Sequence, residues 1–306
     1  MEDASSTITI EERHMPPFSA KLPIAIERGQ GVHVWDENGK SYLDFTAGWG
    51  VTCLGHSHPV IMKALAEQGG RILQNPNAGL TYSPPRARLL SQMVPLLPPP
   101  LTRIFFCNSG AEANDAAIKL ARKVTGRTDV VSTHMSFHGR TISTASATGQ
   151  AKHRERYAPL MPGYRFVPYD DPAALAESLD ESVAAVIVEP IQGEGGVNIP
   201  SEGYLEEVSL LCHENGSLLI VDEIQTGFFR TGPLFSISGR DVRPDFLTMG
   251  KGIAGGFPFA AFALTEEVAK RLGRGDHGGT YCGNPLGCAV SSAVLNELLE
   301  TDISRN

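Results

Sequence analysis

From residue 102 onward, short apolar runs alternate with stretches of helical periodicity, and this alternation constrains the fold more than any other feature of the chain. The β-rich runs are Ile104–Cys107, Val130–Ser132, Val183–Val188, Leu218–Val221, Phe246–Met249 and Phe259–Leu264. They are almost continuously apolar, as strands buried on both faces are. An α/β fold is therefore predicted, with a mostly parallel central sheet and helices on both faces. Between the runs, Ala113, Ala116, Ala117, Leu120, Ala121 and Val124 follow the spacing of one helix face, and Gly126 supplies a stop. Tyr204, Leu205, Val208, Leu211 and Cys212 form a second stripe that ends at Gly216. In such sheets, ligands collect at the carboxyl ends of the strands.

The region before residue 102 is mixed. In "GVHVWDENGKSYLDF", Asn38-Gly39 separates two alternating runs and predicts a hairpin. A helix is predicted from Pro59, and "VPLLPPPL" is a proline-rich stop. At 306 residues the chain can bury one large core or two. Its net charge of −8 and lack of a basic run argue against a nucleic-acid or anionic-membrane surface. The five cysteines are scattered and odd in number, which fits a reducing compartment better than a disulfide framework. The first 18 residues lack an apolar core of the secretory kind, and no run is long enough to span a bilayer, so the cytoplasm is the default location.

Three strand ends carry chemistry. After Cys107 comes "NSGAEAND", where Ser109, Gly110 and Ala111 open a helix whose first amides form an anion cup. Plain capping by Asn108 or Ser109 is the alternative. Asp222 ends an apolar run, and a carboxylate buried there requires a cation or strong donors, or else is a structural ion pair. Lys251, in "PDFLTMGKGIAGGFP", follows the third strand. The spacing Gly250-x-Gly252-x-x-Gly255 is that of a dinucleotide fingerprint, but Gly256 and Pro258 oppose the helix that fingerprint needs. A lysine at that place is either an exposed surface residue or a desolvated amine able to form a Schiff base. An anion cup, a buried carboxylate and a lone lysine together match the phosphate, ring nitrogen and aldehyde of pyridoxal phosphate.

"FFCNSGAEANDAAIKLAR", "SFHGRT", "VEPIQGEGGV", "LLIVDEIQTGFFRTG", "PDFLTMGKGIAGGFP" and "GTYCGNPLGCA", in this order, resemble the class III pyridoxal-phosphate aminotransferases, with the acetylornithine and ornithine aminotransferase group nearest. "GVHVWDENGKSYLDFTAG" and "LGHSHP" are similar to that group's N-terminal segment. The resemblance implies fold type I of the pyridoxal-phosphate transferases. Residues 1–66 would be the N-terminal segment of a small domain and 67–306 the large cofactor-binding domain. It implies that Lys251 holds pyridoxal 5'-phosphate as a Schiff base and that Asp222 pairs with the pyridinium nitrogen. Gln225 would bond near the ring hydroxyl, and Ser109, Gly110 and Ala111 would take the phosphate. Phe137 would stack on the ring with His138 beside it. Thr280 would reach the phosphate of a neighbouring subunit, making the enzyme a homodimer with shared sites. Arg140 would receive the distal carboxylate of glutamate or 2-oxoglutarate, Glu194 would act as a gate, and Glu189 would lie close to the pocket. The implied reaction moves an amino group from an ω-amino acid, acetylornithine or ornithine, to 2-oxoglutarate; the alternatives are 4-aminobutyrate or another ω-amine as donor, or a cofactor-binding protein without activity.

Two departures from that group's pattern stand out. Phe229 occupies a position that is often glycine. Relatives also continue into a C-terminal segment that completes the small domain and binds the substrate α-carboxylate, so a chain ending at Asn306 is expected to expose an apolar patch. Trp49 is open to two readings, pocket-lining or core. His56 and His58 read as fold-stabilising hydrogen bonders, since neighbouring Cys53 brings no second cluster of ligand spacing and no metal site is expected. Cys282 and Cys288 read as inert packing thiols.

Overall fold

The computed structural model describes residues 6–76, 79–301 and 303; residues 1–5 of the N-terminal segment and Asn306 lie outside this range. Three short strands, β1 (Ile26–Gln30), β2 (His33–Asp36) and β3 (Ser41–Leu43), form an antiparallel sheet within the first 66 residues. The β2–β3 connection is the hairpin predicted from Asn38-Gly39. Gly39 sits at φ 80°, in the left-handed region that such a turn requires.

Seven strands make the main sheet: β4 (Leu101–Cys107), β5 (Asp129–Thr133), β6 (Tyr164–Val167), β7 (Val183–Val188), β8 (Leu218–Asp222), β9 (Phe246–Met249) and β10 (Ala260–Thr265). Their order is β4-β10-β9-β8-β7-β5-β6. Only β10 runs antiparallel to its neighbours; the pairs from β9 to β6 are all parallel. All six residues of β7 are buried, as its uninterrupted apolar run requires. The two-residue period of the strands divides the core. Val186, Val188, Leu219 and Val221 face one cluster together with Leu205 and Val208 of the helix Tyr204–Asn215. Ala185, Ile187 and Ile220 face the other, with Ala117, Leu120 and Ala121 of the helix Gly110–Thr125. Both helices end where glycine predicts, Gly126 at φ 72° and Gly216 at φ 70°. Each fully buried Val, Ile or Leu of these clusters contributes about 1.5–3 kcal/mol relative to exposure.

Strand β6 escapes the sequence pattern because it is a half-buried edge strand carrying a charge. Its Arg165 bonds Asp129 at 2.6 Å and Asp180 at 2.7 Å. Beyond β9 the glycine-rich turn makes a single 3-10 turn, Lys251–Ala254, closed by Gly255 at φ 56°, and then enters β10. No helix follows those glycines, so the dinucleotide spacing is coincidental. Among the described residues no helix is long and apolar enough to cross a membrane.

Trp49 is neither core nor pocket-lining: it is 74% exposed, at φ 66° in a turn of left-handed residues. His56 Nε2 meets Asp44 Oδ2 at 2.7 Å, as a fold-stabilising histidine would. His58 departs from that reading, because its buried Nδ1 has no hydrogen-bond partner among the described residues. Burial raises the thiol pKa of Cys282 to about 11 and of Cys288 to about 12.

Candidate active site

The carboxyl ends of β4, β5, β7, β8 and β9 surround a cavity of about 310 Å³. Gly110 and Ala111 form its floor at the N-terminus of the helix Gly110–Thr125, and Asp222 and Lys251 meet there from β8 and β9. Phe137, His138 and Arg140 enter from the loop after β5, Glu189 and Glu194 from the segment after β7, and Gln225 from the loop after β8. Ser109 stands just outside, spending its hydroxyl as the helix cap by accepting Glu112 N–H at 3.3 Å. Thr280 also lies outside this cavity; its carbonyl accepts a bond from the Gln74 amide. Larger clefts of about 660 and 870 Å³ are lined by no lysine; those of about 470 and 320 Å³ carry Lys270 and Lys63 near carboxylates, but both lysines are exposed.

Asp222 is 3% exposed and well furnished with donors. Its Oδ2 accepts from His138 Nδ1 and Asn114 Nδ2, each at 2.7 Å, and its Oδ1 accepts Ile224 N–H at 3.0 Å. A carboxylate offers about four acceptor sites, so one on Oδ1 is left on the cavity side for a cationic or N–H group. The Ser132 hydroxyl meets the far side of the His138 ring at 3.3 Å, with Ser136 behind it at 3.1 Å.

Lys251 has φ 43°, a left-handed conformation that costs a non-glycine residue about 1–2 kcal/mol and is tolerated only where the surroundings over-determine it. Phe228 and Phe229, in the loop packed near it, share that region at φ 57° and 64°. This explains why glycine suits the Phe229 position. Burial lowers the Lys251 ammonium pKa, opposed in turn by the carboxylates of Glu194, Asp222 and Glu189. The amine therefore gives up its proton more readily than an exposed lysine, as a nucleophilic amine must. Glu189 is pushed the other way, to about 7, chiefly by burial; it accepts Phe137 N–H at 3.1 Å and so fixes the aromatic wall. Arg140 is exposed at the rim, 5.7 Å from the Phe137 ring centroid, and has no ion pair among the described residues.

One face of the helix Gly110–Thr125 carries a residue bonded to Asp222 that spacing did not single out. Asn114 heads the fully buried stripe Asn114, Ala117, Ile118 and Ala121. The legible signal was a polar residue in line with three apolar ones.

The cavity's donor set fits pyridoxal phosphate: a helix N-terminus for the phosphate, an aromatic wall, an unfilled carboxylate site for the ring nitrogen and a desolvated amine for the aldehyde. The model of the family "Aminotransferase class-III" matches residues 15–306. The chain is 44% identical to an acetylornithine aminotransferase of Methanopyrus kandleri over 96% of this chain and 75% of that protein. It is 42% identical to a [LysW]-aminoadipate semialdehyde transaminase of Deinococcus radiodurans, over 97% and 69%. Its fold matches the ornithine aminotransferase of Toxoplasma gondii with a TM-score of 0.88 at 37% identity, covering 96% of this chain and 71% of that one. An ω-transaminase of Pseudomonas jessenii, solved in complex with PMP, gives 0.92 at 26% identity, over 97% and 75%. The chain belongs to the class-III aminotransferases, enzymes that transfer amino groups with pyridoxal phosphate as cofactor.

Proposed function

We propose that this enzyme moves the amino group of an ω-amino acid, acetylornithine or ornithine, to 2-oxoglutarate, giving a semialdehyde and glutamate. The observation that carries this reading is the meeting of the Lys251 amine, the Asp222 carboxylate and the Gly110–Ala111 helix terminus in one cavity with a free arginine at its rim. The named relatives that act on acetylornithine and ornithine support the donor.

When bound, pyridoxal phosphate supplies an aldehyde and a ring that accepts electrons from the substrate carbon. The residues divide the remaining work. Gly110 and Ala111 amides, with the helix terminus, would bind the phosphate, while Ser109 holds that terminus open. Asp222, oriented by His138, would keep a proton on the ring nitrogen. Phe137 would cover the ring, and Gln225 would bond at its hydroxyl. Lys251 Nζ would hold the cofactor covalently and, once released, carry the proton on and off the substrate carbon. Arg140 would take the distal carboxylate of 2-oxoglutarate in bidentate fashion, and Glu194, beside Lys251, would gate that exchange. Glu189 would support the wall rather than touch substrate.

The reading is tested by mixing coenzyme-loaded protein with single amino donors and following the coenzyme absorbance. Acetylornithine or ornithine should convert the bound chromophore within one turnover, and 2-oxoglutarate should restore it. If neither donor changes the spectrum, or if 2-oxoglutarate fails to restore it, the proposal is wrong.

Gln225 lies directly over Gly193, where any Cβ would collide with its Oε1. Gly193→Ala should therefore displace the Gln225 amide and weaken coenzyme binding about tenfold, the value of one good hydrogen bond to a polar ligand. A fluorescence titration reads this directly, and an unchanged dissociation constant removes Gln225 from the coenzyme contacts.

A homodimer with shared sites is part of the proposal. Phe18 and Phe45 are each 92% exposed and Tyr82 100%, large aromatic side chains that this chain leaves uncovered. Thr280, outside its own chain's cavity, would serve a partner's phosphate. Sedimentation equilibrium should give twice the mass of one chain, and Phe45→Glu should shift the equilibrium to monomer.

A further inference from the structure

We infer that Asn114, held in one orientation by Thr248, is the positioning residue that locks Asp222 relative to both the phosphate cup and the lysine strand. This rests on the assignment of Asp222 to the coenzyme ring proposed above. Asn114 is fully buried and all of its side-chain atoms are engaged. Its Nδ2 donates to Asp222 Oδ2 at 2.7 Å and to the His138 carbonyl at 2.8 Å, and its Oδ1 accepts the Thr248 hydroxyl at 2.7 Å. The opposite amide orientation would set Oδ1 against a carboxylate and a carbonyl, three acceptors together, so the hydrogen-bond chemistry allows one state only.

The three partners sit on three different carriers. Asn114 is four residues into the helix whose terminus is the anion cup. Asp222 ends β8, and Thr248 lies opposite it on β9, three residues before Lys251. The Glu223 N–H also donates to the Thr248 carbonyl at 3.0 Å, tying the same strands again. A shift of any one carrier would strain two of these three bonds. The distances that a rigid coenzyme must span, from cup to ring nitrogen to amine, are thereby fixed before it arrives.

Thr248→Val removes the orienting hydroxyl at nearly constant volume, and Thr248→Ser retains it. Binding of pyridoxal phosphate and of inorganic phosphate to the coenzyme-free protein is then measured by calorimetry. The phosphate anion meets the cup alone; the coenzyme needs the cup and Asp222 in register. Thr248→Val should weaken pyridoxal phosphate about tenfold and leave phosphate within about twofold, while Thr248→Ser restores the coenzyme. Asn114→Leu should weaken the coenzyme about a hundredfold, again sparing phosphate. Equal loss of both ligands in Thr248→Val, loss of neither, or no rescue by serine would overturn the inference. A wild type that takes up phosphate but no coenzyme would instead overturn the assignment of Asp222 and Lys251.

Discussion

Lys251→Ala should retain the fold and the phosphate cup yet lose amino transfer by at least about 10⁴-fold, the upper range for removing one positioned acid–base group. The expectation follows from where the amine sits. Among the described residues it is the only lysine lining the cavity, and it enters from the end of β9 on a left-handed backbone, within the influence of the Glu194 and Asp222 carboxylates. Burial already favours its neutral form. Of its neighbours, His138 is spent on Asp222 and Ser132, Glu189 accepts the Phe137 N–H, and Arg140 does not give up a proton. Coenzyme added to wild type and reduced with borohydride should remain attached at residue 251 and be found there by peptide mass spectrometry. The variant should carry no such adduct at any lysine. Its thermal midpoint should move little, since the amine makes no hydrogen bond or ion pair among the described residues. An adduct on another lysine, or transfer within tenfold of wild type, would remove Lys251 from the chemistry.

The strands that place this lysine were legible because burial on both sides of a parallel sheet writes a continuous apolar run. Val183–Val188 and Phe246–Met249 have the boundaries expected from the sequence. Strand β6 was not legible, since an edge strand exposes one side and can carry Arg165. The site was legible in its charged and glycine-flanked members, Asp222 and Lys251, because an ionisable group at the end of an apolar strand is costly without a purpose. Its supporting layer was harder to read. Asn114 and Thr248 are short polar residues whose side-chain partners lie 24 to 134 positions away on other elements, and Ser132 meets the His138 ring six positions on only through the turn of a loop; the folded chain alone brings these together. Gly193 is a similar case: its need for a missing Cβ is set by Gln225, on a different strand end. Trp49 could be read two ways because a large aromatic is at home in a core or a pocket, and the left-handed turn that turns it outward has no spacing signature.

Asp222→Asn should lower the transfer rate about 10³-fold while the coenzyme still binds. A carboxylate about 4 Å from a unit positive charge contributes about 4 kcal/mol at the effective dielectric typical of protein sites, and that corresponds to about three powers of ten in rate if the charge is needed in the transition state. Asparagine matches the shape and removes only the charge. Its Oδ1 can take the place of Oδ2 and accept from His138 Nδ1 and Asn114 Nδ2, both now at 2.7 Å. Its amide nitrogen must then face the Ile224 N–H, donor against donor, where Oδ1 now accepts at 3.0 Å. That mismatch costs about 1–3 kcal/mol of stability. The reversed amide would instead confront two donors and is worse. The variant should therefore fold with a lowered thermal midpoint, bind pyridoxal phosphate at saturating concentration, and turn over slowly with every donor alike, because the lost charge acts on the coenzyme ring and not on the substrate. A selective loss with one donor would place Asp222 at the substrate. A rate within tenfold of wild type would mean that the buried carboxylate at the end of β8 serves the fold alone.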